Sequence, residues 1–160
     1  MSVYLSVAPP DGFTKWGEAE WDRWLRDHPW ESAERICSRG DWAIFLFQLR
    51  AHASQGKKLI EPALETLLNE RPLPSQGADD LKLGLATARQ ELSQKSALLL
   101  RSQPDNFVGK EDLEHMITSA RTRLGREPTM ADVWAEVFEA VDKVLQSAVE
   151  QKRGIYFGNV

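Results

Sequence analysis

Cys37, His28, His52 and His115 are the residues of this chain best equipped for nucleophilic attack, proton transfer or soft-metal ligation, and their spacing serves none of these. No histidine stands three or four residues from another histidine, from the cysteine or from a suitably facing carboxylate, as a helix-borne metal site would need. His115 with Glu111 reads as a surface pair. Cys37 falls on an apolar stripe with no histidine beside it, the setting of a small buried hydrophobe and not of an activated thiol. The glycines come singly, and neither a phosphate-cradling loop nor a nucleophile elbow is present. Carboxylate pairs such as Asp79-Asp80 and Glu111-Asp112 open predicted helices, where the helix dipole accounts for them. The expectation is therefore no catalytic residue, no metal and no cofactor.

The chemistry that stands out is recognition. Trp16, Trp21, Trp24, Trp30 and Trp42 are interspersed with Glu18, Glu20, Asp22, Asp27 and Glu31. Tryptophan is over-represented among the residues that anchor interfaces, and neighbouring carboxylates suit a basic partner. Trp16, Glu18, Trp21, Asp22, Trp24, Asp27 and Trp30 are thus the expected partner-binding residues. The competing reading is that the rings pack the first helix onto Trp42 and Phe45, since Trp21 and Trp24 share a helical face.

At 160 residues the chain fits one domain, and a single cysteine excludes an intramolecular disulfide framework. Twenty Lys and Arg against 24 Asp and Glu leave a net charge of −4, interleaved and without the basic block that a phosphate backbone demands. Nucleic acid is a poor partner on that ground. Residues 1–10 lack a basic leader, and no window reaches a membrane-spanning apolar length, so the expected location is the cytoplasm.

The elements that must position these residues read as helices almost throughout. One runs from about Trp16 to Asp27 and stops at Pro29. A short helix over Glu31 to Ser38 would bury Ala33, Ile36 and Cys37. Gly40-Asp41 opens a helix over 42–54, whose run Ala43 to Phe47 is apolar on nearly every side and marks the central core helix; Gly56 ends it. Residues 58–70 form another, with Pro62 required in its first turn. A loop at 71–77 is the clearest internal boundary.

Beyond that loop, Leu81, Leu85, Ala88, Leu92 and Leu99 trace a helix from about Asp79 to Arg101, broken by 102–109, with Gly84 marking a close helix crossing. Leu113 to Leu124 make the next, terminated by Gly125. Thr129 with Asp132 is a shortened capping box that begins a long last helix reaching Gly154. Residues 3–7 and 154–158 are the β-like runs, which either pair with each other or stay coil. The fold class is all-α: one compact bundle of six or seven helices, with at most a minor two-stranded pairing of the termini.

The phrase Leu124-Gly125-Arg126-Glu127-Pro128-Thr129-Met130-Ala131-Asp132-Val133 resembles the helix entry of helix-turn-helix segments in bacterial sigma factors. The likeness covers about ten residues and implies DNA reading. In that family a short capped helix and a turn lead to a recognition helix, whereas here Trp134 to Gln151 runs on without Gly or Pro.

Three classes of function follow. The foremost is a non-enzymatic protein-binding module, in the form of a bacterial immunity-type protein that neutralises a cognate, possibly basic, toxin. The second is a helical transcription-associated or DNA-binding regulator using 110–152. The third is an enzyme whose residues converge from separate helices, with Cys37, His52 and His115 as its actors.

Overall fold

A computed structural model describes residues 2–10, 13–28, 34–69, 71–102 and 110–159, with side chains at all of these but 14, 102, 110, 158 and 159. Strand β1 (Ser2–Val7) begins the chain, a 3-10 turn (Phe13–Lys15) follows, and helix α1 (Glu18–Asp27) comes next. Strand β2 (Glu34–Ser38) leads into α2 (Arg39–His52), α3 (Ser54–Leu68) and α4 (Ser75–Leu92). A second 3-10 segment (Ala97–Ser102), α5 (Lys110–Leu124), α6 (Met130–Val133), α7 (Ala135–Glu150) and strand β3 (Ile155–Asn159) complete it. The described residues thus form a mostly helical domain with a small antiparallel sheet of order β2-β1-β3.

The two terminal segments do pair, from Val3 opposite Asn159 to Val7 opposite Ile155. The sheet is more than that pairing. Where a short helix was expected over 31–38, residues Glu34–Ser38 are a strand on the other side of β1, and Ala33 lies outside the described residues. Val3 faces Cys37 while Tyr4 faces Arg35, so Ile36 is the extra residue of a β-bulge. The bulge buries Ile36 and Cys37 although they are consecutive, which reproduces a helical pattern over so short a run.

Ser38 caps α2 by accepting from the Asp41 N–H at 3.0 Å, and Gly40 lies in that helix's first turn. Phe45 of α2 is fully buried and meets Trp134 and Phe138 edge-on at 5.5 and 5.2 Å, which makes α2 central as expected. Gly56 does not end α2. It lies inside α3, where a Cβ would come within 2.5 Å of Ala88 Cβ, so its bareness is what lets α3 and α4 touch. Gly84 serves the same crossing from the other helix, since its Cβ would meet Ile60 at 2.5 Å. Pro62 is interior to α3 and not in its first turn.

The helix read from Asp79 to Arg101 stops at Leu92. Residues 95–97 instead pair with 128–130: Met130 N–H donates to Lys95 O at 2.9 Å and Ala97 N–H to Pro128 O at 3.0 Å. That backbone exchange takes the chain out of helical register. Gly125 ends α5 with a positive φ of 66°, and Thr129 and Asp132 form the expected reciprocal cap. The long last helix is interrupted at Trp134, giving α6 and α7. The loop expected over 71–77 is shorter, since α4 begins at Ser75, and Leu73 within it is buried and bridges Ile155 in both directions.

Candidate functional site

Helix α1 is amphipathic yet contributes no buried residue. At about 100° per residue its aromatic stripe, Trp21 and Trp24 with His28, is flanked by Leu25 and Glu18 on one side and by Glu20 and Asp27 on the other, while Asp22, Arg23 and Arg26 lie towards the far face. Gly17 opens the helix in extended conformation, and its N–H donates to Glu20 Oε2 at 2.9 Å.

The aromatic side chains form a connected surface cluster. Trp16 lies 6.4 Å from Trp21 and 6.1 Å from Trp24, ring centre to ring centre, and Phe13 lies 6.2 Å from Trp21. Trp21 meets Tyr156 of β3 edge-on at 5.1 Å, and Trp24 stacks on His28 at 3.7 Å. From below, the Arg153 guanidinium sits 5.7 Å from the Trp24 ring, a cation–π contact that ties α1 to the body, while its Nε donates to Ala8 O at 2.6 Å. Among the described residues the ring contacts of Trp16, Trp21 and Trp24 are to one another and to Phe13, Tyr156 and His28, whereas Trp42 and Phe45 belong to the core, with Phe157 packed against it.

Trp16 is 36% exposed, Trp21 and Trp24 are half-buried, and Glu18, Asp22 and Asp27 are exposed. Trp30 lies outside the described residues. Phe13, Trp16, Gly17, Glu18, Trp21, Arg71 and Pro72 line an open cleft of about 360 Å³. Phe13, Arg71, Pro72, Arg153 and Tyr156 were not foreseen, because nothing local in the sequence says that the turn after α3 and the last strand meet α1.

Of the residues with catalytic chemistry, Cys37, His52 and His115 lie on β2, α2 and α5, and His115 lines a separate cleft with Ser119, Asp132 and Glu136. Cys37 is buried, and burial, with the charge of Asp41, pushes its thiol up to about 12 although Arg35 acts the other way, so it carries no thiolate at neutral pH. Burial, and then Lys95, lower the His52 pKa. No three His, Cys, Asp or Glu side chains are grouped to hold a metal among the described residues. In the segment resembling a sigma-factor entry, Arg126 is held by Asp132 at 2.8 Å, and Glu127 holds Arg121 of the preceding helix at 2.7 Å, so those guanidinium groups are engaged locally. No helix among the described residues is long and apolar enough to cross a membrane.

Fold and surface together define a mostly helical domain with a small sheet and an aromatic cleft bordered by Glu18 and Arg71. The chain matches no protein-family model, no curated protein and no solved structure.

Proposed function

We propose that this chain is a non-enzymatic protein-binding module, and that it acts as a bacterial immunity-type protein in the cytoplasm, neutralising a cognate toxin by direct binding. The observation that carries the reading is α1: an aromatic stripe held at the surface with carboxylates along both flanks. Exposed tryptophans that can be covered supply anchor energy, and the flanking acids steer a basic partner and fix its orientation. Trp16 and Trp21 are the anchors, Glu18, Asp22 and Asp27 the steering charges, and Trp24 holds the helix in place through Arg153.

The test is capture from the native host's lysate with tagged protein, run beside Trp16→Ala and the double variant Trp21→Ala/Asp22→Lys, with a check for co-purifying nucleic acid. A stoichiometric basic protein that is retained by the parent chain and lost from both variants, each still folded by circular dichroism, is the expected result. Rescue of cells from that protein by co-expression identifies it as a toxin. Capture unaffected by the variants, or recovery of nucleic acid alone, overturns the reading.

A further inference from the structure

We infer that the cleft beside α1 binds an extended, proline-containing peptide segment that carries an arginine or lysine, in polyproline II conformation. The inference rests on the protein-binding reading and names the ligand chemistry of that site. Three features of the cleft point the same way. Its walls are aromatic rings set at an angle: Trp16 and Trp21 are tilted by 55° with centres 6.4 Å apart, and Phe13 continues the wall beyond Trp21 at 35°. Such a V takes a flat apolar ring edge at its mouth, which a pyrrolidine supplies.

The indole N–H groups of Trp16 and Trp21 donate to no described residue, and polyproline II is the backbone form whose carbonyls are left without internal partners. Glu18 borders the same cleft and Asp22 follows it one turn along α1, which places acceptor charge where a basic side chain next to the prolines would lie. Arg71 also lines the cleft, and its guanidinium would donate to peptide carbonyls.

The other recurring ways of holding a peptide do not fit. A helical ligand needs a groove long enough for anchors spread over two turns, and this cleft is bounded by one turn of α1 and the Arg71-Pro72 corner. Strand addition needs an open sheet edge, whereas the walls here are helix and turn. Phosphopeptide sites gather arginines, and this cleft is lined by one arginine, Arg71, together with Glu18.

The experiment titrates the full chain with a short synthetic peptide of repeated Pro-Pro-Arg, followed by tryptophan fluorescence and calorimetry, beside two control peptides: one with alanine for every proline and one with glutamate for every arginine. Saturable binding of the first peptide alone is expected. Trp16→Ala should weaken it roughly 30-fold, the loss typical of an aromatic anchor, and Glu18→Lys, an exposed change, roughly tenfold. No saturation with the Pro-Pro-Arg peptide, equal binding of the alanine peptide, or indifference to both substitutions overturns the proposal. If the lysate partner is still lost from the Trp21→Ala/Asp22→Lys variant while the peptide fails, the ligand chemistry is wrong and the protein-binding reading stands; if that partner is also indifferent, both fall.

Discussion

Individual side chains in this protein carry charge and polarity into places where their neighbours decide the outcome. Glu91 of α4 reaches the start of α3, whose N-cap is Ala53 with no side chain to offer. Its carboxylate accepts from Gln55 N–H at 2.9 Å, Gly56 N–H at 2.8 Å and the Ser54 hydroxyl at 3.3 Å, so one helix caps another. Partial desolvation raises the Glu91 pKa, but the Gln55, Gly56 and Ser54 hydrogen bonds and the Lys95 charge outweigh it and leave it below the ordinary 4.5. A pKa lower in the folded than in the unfolded chain gives a contribution that is complete above 4.5 and lost as pH falls through the folded value. Glu91→Ala should therefore cost about 1 kcal/mol at neutral pH, the worth of a helix cap, and nearly nothing once the carboxyl is protonated; urea melts at two pH values measure the difference. Gln48 shows the opposite case. It is fully buried in α2, and neither its Nε2 nor its Oε1 finds a hydrogen-bond partner among the described residues. Replacement by a side chain of similar shape without the amide, Gln48→Met, should stabilise the fold by about 1–3 kcal/mol in denaturant melts; a destabilised variant would mean that the amide is satisfied in solution. Neither effect is visible in sequence, since Glu91 sits 35 residues from Gly56 and Gln48 reads as an ordinary helical glutamine.

The helices were legible wherever their periodicity ran long or their caps were chemical, as in α1, α4, α5 and the Thr129–Asp132 entry to α6. Reading failed where a partner distant in sequence set the structure. Five residues of β2 carry a bulge that mimics helical spacing, and α4 ends at Leu92 because residues 95–97 bond to 128–130. Gly56 looked like a terminator and is a contact: an added Cβ would stand 2.5 to 2.7 Å from Ala88 Cβ, Cα and N. Two effects then oppose each other in Gly56→Ala. Helix propensity favours alanine by about 1 kcal/mol, while forcing a methyl against backbone costs about 1–3 kcal/mol and spreads the α3–α4 pair. Since the obstacle is backbone and cannot rotate away, the clash should prevail and the variant should melt at lower denaturant. Gly84→Ala meets Ile60 Cγ2 at 2.5 Å and Leu59 Cβ at 3.0 Å, neither of them the far end of a flexible side chain, and should likewise melt at lower denaturant.

Across the whole molecule, the buried core and the exposed aromatic face are divided between different parts of the chain. Trp134, Phe45, Ile44, Leu49, Leu64, Leu92 and Leu145 are fully buried and come from α2, α3, α4, α7 and the Trp134 junction, whereas α1 buries nothing completely and is held by ring contacts to Tyr156 and Phe13 and by Arg153 under Trp24. The aromatic stripe and its acids could be read from spacing alone, but the body residues that border them could not, because they arrive through the 71–74 turn and β3. A helix held this way opens without unfolding the core, since local opening costs only the contacts it breaks. Amide hydrogen exchange should accordingly find α1 protected far less than α2 or α7. Arg153→Ala, which removes the cation–π contact and the bond to Ala8 O, should lower α1 protection further while leaving that of α7 and the midpoint of global unfolding little changed. Equal protection of α1 and α7 would mean that the aromatic face is part of the cooperative core, and its tryptophans would then be unavailable as separable anchors for a partner. A loose α1 that becomes protected when ligand is added would place recognition on this helix, with the cost of ordering it subtracted from the affinity.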